Sequence, residues 1–126
     1  MHTGSSAGDP MSRPLGPYSP WRRAGEWVVT SGQVAVVDGA IAGGGVEVQT
    51  AQALRNLAAV LADAGATLAD VVKTTVFLVD MADFAAMNAA YAEVFVEHRP
   101  ARSTVAVAAL PLGALVEVEA WAWVGG

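Results

Sequence analysis

The sequence predicts an α+β domain with two helices on one face of a mixed β-sheet. Three observations carry this. Two stretches space their apolar residues at helical intervals. Four or five others are rich in β-branched residues or alternate apolar with polar. The length of 126 residues suits a single core at residues 15–126, since two domains would each be too small for one.

Taken in order, the elements follow from local chemistry. GPYSP (Gly16–Pro20) is rich in turn formers and predicts a fixed loop. EWVVTS (Glu26–Ser31) is a strand, and Gly32 interrupts it, which predicts a bend or a close backbone approach. Asp38-Gly39 inside VAVVDGAI (Val34–Ile41) is a hairpin signal. Gly43-Gly44-Gly45 makes a joint before a first helix over 46–64. There Leu54, Leu57, Ala58 and Leu61 keep the i, i+3, i+4, i+7 pattern, with Gln52, Arg55, Asn56 and Asp63 off it. Gly65 is placed to end that helix. DVVKTTVFLVD (Asp70–Asp80) reads as a strand. A second helix is expected over 82–98, with Phe84, Met87, Tyr91, Val94 and Phe95 as its stripe, and Pro100 cannot continue it. A strand over 101–110, a turn over 111–114 and a strand over 115–124 complete the order β-β-α-β-α-β-β.

Two helices cover one face of a sheet, so the other must be polar or meet another subunit. In the last strand Val116, Val118, Ala120, Ala122 and Val124 point one way, and Leu115, Glu117, Glu119, Trp121 and Trp123 the other. The small apolar set suits packing under helices. The mixed Trp and Glu set suits a subunit interface.

Composition narrows the function classes. The chain has no cysteine, which excludes disulfide scaffolds, thiolate zinc, iron–sulfur ligation and a thiol nucleophile, and fits a reducing compartment. Its net charge of -5 argues against a large nucleic-acid footprint. Charged residues are 15% of the chain, against roughly 25% in an average globular protein. With 54% hydrophobic residues, the surplus predicts a covered interface. No apolar run reaches membrane-spanning length; the closest, 105–116, is broken by Pro111 and Gly113. Residues 1–14 lack the apolar core of a secretory signal and read as a disordered tail or cloning remnant, with Met11 as a candidate natural start.

Phosphate-binding glycine loops, nucleophile elbows and zinc-protease motifs are absent. His2 and His98 have no ligand companions, so no metal is expected, and His98 reads as a solvated or capping residue. Arg102, in PARSTV, is either an exposed or ion-paired residue or a fixed fork for a carboxylate. Glu117 and Glu119 stand about 7 Å apart on one strand face. They form either a solvated edge or a partly buried pair able to hold or deprotonate water. Asn88 falls on the second helix's apolar stripe and needs a partner, either structural or a ligand. Tyr18 and Ser31 are surface candidates.

Together GPYSP, EWVVTSGQV, QTAQALRNLAAVLADAG, DVVKTTVFLVDMADFAAMNAAYAEVF, PARSTVAVAALP and LVEVEAWA resemble the Rid (YjgF) family of reactive-intermediate deaminases, over about residues 16–124. The resemblance implies a chorismate-mutase-like fold and a homotrimer with ligand sites between subunits. It implies cofactor-free hydrolysis of enamines and imines (2-aminoacrylate, 2-iminobutanoate, 2-iminopropanoate) to 2-keto acids and ammonia. By the same resemblance Arg102 holds the substrate carboxylate and Glu117 handles water. Tyr18 and Ser31 line the site, with the backbone of Gly32 and the side chain of Asn88. Thr104 stands where many members carry cysteine, and the segment between His98 and Pro100 is about three residues shorter than in the best-known members. Both departures are expected to tune the pocket. The competing functions are a non-catalytic small-acid-binding trimer and a single-stranded RNA endoribonuclease, a label the family often carries. Scarce lysine (Lys73 alone) and the missing histidine pair oppose the ribonuclease. The expected location is the cytoplasm.

Overall fold

The computed structural model describes residues 14–126, so the tail expected at 1–14 lies outside the described residues apart from Pro14. The elements are β1 (Trp21–Ala24), β2 (Trp27–Thr30), β3 (Val36–Val37), β4 (Ala40–Ile41), α1 (Gly45–Asp63), β5 (Val71–Leu78), α2 (Phe84–Val94), β6 (Ala101–Ala106) and β7 (Val116–Trp123). The main sheet has the order β1-β2-β7-β5-β6. Only β5 and β6 run parallel; the other pairs are antiparallel, so the sheet is mixed as expected.

Both helices lie on one face. Leu54, Leu57 and Leu61 of α1 and Met87 of α2 are buried against Val28, Val76, Val116 and Val118. The inward set of β7 is fully buried over Val116, Val118, Ala120 and Ala122. A Schellman motif closes α1. Gly65 has φ +81, its N–H reaches Ala62, and the Ala66 N–H reaches Leu61 at 2.8 Å.

Besides β6, which ends at Ala106 and not at Leu110, four details depart from the expected order. The strand β1 precedes the first expected one, and its WRRA sequence hides it. Only Trp21 turns toward the core, while Arg22, Arg23 and Ala24 stay exposed, as suits an edge strand. The Asp38-Gly39 hairpin forms, but β3 and β4 make a separate two-stranded sheet. The second helix stops at Val94, not His98. Its stripe is complete at Phe95, which is buried and stacks on Tyr91 at 4.8 Å. Beyond it Val96 is exposed, and His98 Nε2 sits 2.6 Å from the Val71 carbonyl, so His98 joins a strand and caps no helix. Asn56, placed off the apolar stripe, is buried. Its amide donates to the carbonyls of Val34 and Val36 at 2.9 and 3.0 Å, satisfying backbone that the sheet leaves open.

Candidate functional site

Strand register decides what the candidate residues can do together. Thr74, Val76 and Leu78 of β5 are buried under the helices, which leaves the intervening Thr75 and Phe77 on the open face. Arg102 pairs with Thr74, so it sits on the helix side. Glu117 pairs with Phe77 and Glu119 with Thr75, so both carboxylates sit on the open side. Within one chain the guanidinium and the carboxylates therefore occupy opposite faces of one sheet.

On the helix side, α2 builds a rigid seat for Arg102. The hydroxyls of Thr74 and Tyr91 are 2.7 Å apart and hydrogen-bonded in the core, which pins the tyrosine ring. The Arg102 guanidinium carbon lies 4.8 Å from that ring's centre and 5.6 Å from the Phe84 ring, a double cation–π contact. Its Nη1 reaches Met87 Sδ at 4.0 Å. Burial raises the Tyr91 pKa; the Thr74 hydrogen bond and the Arg102 charge partly oppose this. Arg102 opens onto a cleft of about 530 Å³ lined also by Asn88, Tyr91, Ala92, Arg99 and Pro100. Asn88 Oδ1 is buried there without a hydrogen-bond partner among the described residues. Thr104 is two residues along the same face of β6, but it does not line the cleft.

Beside the open-side carboxylates, along the edge of β7, Val29 pairs with Trp121 and Gln33 with Val118. Four steps along one strand thus meet three along the other, a bulge-like extra residue at Ser31–Gly32. Gly32 is needed there. A Cβ on it would stand 2.6 Å from both Cδ and Oε2 of Glu117, so the glutamate side chain lies directly against glycine backbone. Burial raises the Glu117 pKa, and the neighbouring Glu119 charge adds to it. Ser31 Oγ donates to the Ser19 carbonyl at 2.6 Å, and Tyr18 Oη accepts from the Leu15 N–H at 3.1 Å. Both therefore fix the 15–20 loop. Tyr18, Gly32 and Gln33 line a hollow of about 30 Å³, room for about one water. Farther along, Trp27 stacks edge-on with Trp121 and Trp123 at 6.0 and 5.2 Å, and the latter two remain over 40% exposed. That aromatic patch needs a cover.

The structure thus sorts the predicted residues into two groups. Arg102, Asn88 and, along the strand, Thr104 share the helix face; Glu117, Gly32, Ser31 and Tyr18 gather at the open face. Sequence reasoning missed the clamp. Phe84, Met87 and Tyr91 read only as a core stripe, because helical spacing does not reveal which strand residue crosses it.

This arrangement has known relatives. The family model described as Endoribonuclease L-PSP matches residues 10–124, and the chain belongs to that family, the YjgF or Rid family. The 2-iminobutanoate/2-iminopropanoate deaminase of Salmonella typhimurium is 45% identical over 111 residues, covering 84% of this chain and 86% of the relative. A RutC family protein of Pyrococcus horikoshii is 46% identical over 113 residues, 88% of this chain and 90% of the relative. Among solved structures, the E. coli YjgF gene product superposes with a TM-score of 0.86 at 38% identity over 98% of both chains. E. coli TdcF with bound serine gives 0.85 at 38% identity, over 90% of this chain and 93% of that one. No helix among the described residues is long and apolar enough to cross a membrane.

Proposed function

We propose that this chain hydrolyses enamine and imine acids such as 2-aminoacrylate and 2-iminobutanoate to 2-keto acids and ammonia, in sites between subunits of a homotrimer. The observation that carries this is Arg102. Its guanidinium is clamped by two aromatic faces, pairs with no acidic side chain among the described residues, and opens onto a cleft of ligand size. That is a seat for a substrate carboxylate. Relatives named as deaminases, and a structural neighbour holding serine, support a ligand of amino-acid size.

Arg102 would hold the carboxylate by two parallel charge-assisted hydrogen bonds. The Asn88 carbonyl oxygen, without a partner among the described residues, would accept from the substrate or from a neighbouring subunit. An enamine first becomes the imine by taking a proton on its terminal carbon and giving one up from its nitrogen. Glu117 would accept a proton from water as its oxygen bonds to the imine carbon and pass it to the nitrogen, giving a carbinolamine; it would then take the remaining hydroxyl proton and deliver it to the nitrogen as the C–N bond breaks, so that ammonia leaves. The carbon retains the water oxygen as the keto group. Tyr18, Ser31 and the Gly32 backbone would form the polar wall beside Glu117. Positioning supplies most of the acceleration, because the imine carbon is already electrophilic. No cofactor enters this scheme. We assign the work to the cytoplasm, in keeping with a chain free of cysteine.

Because Arg102 and Glu117 face opposite ways, the two halves of a site must come from different subunits. Light scattering should give about three chain masses. A mixing experiment is more direct. Arg102→Ala and Glu117→Gln proteins, each nearly inactive, are unfolded together and refolded at equal amounts. About a quarter of the sites in random trimers then join one intact half from each parent. Ammonia release should return to about that fraction; no recovery would place both groups in one subunit and overturn the assignment. Ammonia release itself separates turnover from mere binding. The ribonuclease reading fits the open face poorly, since Glu117 and Glu119 beside the tryptophans repel a phosphate backbone.

The acid limb of the pH–rate profile should follow Glu117. Its pKa is raised, so the base form is lost, and rate falls, as pH drops through a value above the ordinary carboxylate range. Glu119→Gln removes one of the two causes, so the limb should move to lower pH in steady-state assays. A shift to higher pH, or none, would separate the limb from Glu117.

A further inference from the structure

The cleft beside Arg102 holds a second guanidinium. Arg99 lines it, three residues before Arg102 and separated from it by Pro100 and Ala101. Neither arginine forms an ion pair among the described residues, where Arg23 bridges to Glu26. Among the described residues of one chain no aspartate or glutamate lines this cleft, although acidic residues outnumber lysines and arginines by twelve to seven. Arg99 donates from Nε to the Phe95 carbonyl at 3.2 Å, and among the described residues its two terminal nitrogens have no hydrogen-bond partner, which leaves them for a ligand. Two unneutralised guanidinium groups on one cleft repel each other, and a ligand with two negative groups relieves that repulsion. A substrate that carries one carboxylate engages Arg102 alone.

We propose that Arg99 gives this cleft a second anion seat, so that the protein prefers substrates with a second carboxylate: the imines of dicarboxylic 2-amino acids. This rests on the reading of Arg102 as the carboxylate seat and adds the side-chain specificity. Arg102 takes the carboxylate next to the imine carbon, and Arg99 takes the one at the far end of the side chain. The reaction that supplies such a substrate would be a two-electron oxidation of an acidic amino acid, its hydride passing to an electron acceptor such as a flavin or nicotinamide, or a β-elimination from one that bears a β-hydroxyl as leaving group.

Binding of the keto-acid products tests this without relying on turnover. Calorimetry compares 2-oxoglutarate with 2-oxohexanoate, a chain of similar length without the second charge. The wild-type protein should bind 2-oxoglutarate about tenfold more tightly or better, the scale of a charge-assisted hydrogen bond. In Arg99→Gln the ratio should collapse to near one, and Arg99→Lys should keep an intermediate ratio, since it retains charge without the fork. Equal binding of the two acids by the wild type, binding of neither, or a ratio that survives Arg99→Gln would each overturn the seat. Ammonia release from 2-iminobutanoate is scored in parallel. A protein that deaminates it but shows a ratio of one loses the second seat and keeps the deaminase reading. One that shows the ratio without deamination does the reverse.

Discussion

Replacing Arg102 with alanine should lower kcat/KM on 2-iminobutanoate by about 30- to several-thousand-fold while the protein stays folded and assembled. The size follows from the cleft. Removing one partner of a desolvated charge pair costs roughly 2–5 kcal/mol, because the other charge is left without its counter-ion. Arg102 is half-buried, and Tyr91, Phe84 and Met87 hold its guanidinium from the α2 side. Those contacts fix the plane of the fork before substrate arrives, so little ordering is lost on binding. Lysine would keep the charge but could not match the bidentate geometry or stack as a flat group, so Arg102→Lys should recover only a small part. An ordinary surface arginine would change the rate by about twofold at most, equivalent to about 0.5 kcal/mol. Steady-state ammonia release from the three proteins separates the outcomes, and near-normal activity in Arg102→Ala would refute the carboxylate seat.

Much of the fold was legible because it rests on periodicity. Leu54, Leu57 and Leu61 announce α1, and the alternation in VEVEAWAW sorts β7 correctly into a buried and an open face. What was not legible lacks a periodic signal. The edge strand β1 has a single core residue, Trp21, whose indole N–H donates to Asp63 across the fold at 2.8 Å. Asn56 is polar in sequence yet buried in fact, since its partners are carbonyls some twenty residues away. The candidate site divides in the same way. Arg102, Glu117 and Asn88 could be picked out as residue types in suggestive places. That the first two face opposite ways could not, because it depends on which strands lie beside β5 and in what register. Two pairings, Thr74 with Arg102 and Phe77 with Glu117, turn a list of candidates into an argument for sites shared between chains.

Gly32→Ala should slow turnover about 100-fold with little loss of stability. The strand bulges at Ser31–Gly32, and the glutamate lies in the space a methyl group would need: Cδ and Oε2 stand at 2.6 Å and Cγ at 2.8 Å from that position. Something must move, and the free end of the Glu117 side chain is softer than the backbone of β7. The carboxylate therefore swings away while the strand stays, and a misplacement of about 1 Å at a catalytic group is enough for a loss of this order. The backbone at Gly32 lies outside the left-handed region, so alanine brings no conformational strain of its own. Thermal melting should accordingly shift little, whereas kcat falls. Because the methyl group acts only through the carboxylate it displaces, combining Gly32→Ala with Glu117→Gln should be no slower than Glu117→Gln alone, a fully non-additive cycle. Multiplied losses in the double variant would mean that Gly32 serves the site by another route, such as direct backbone contact with the ligand, and that the close packing of Glu117 on Gly32 is not what sets the position of the base.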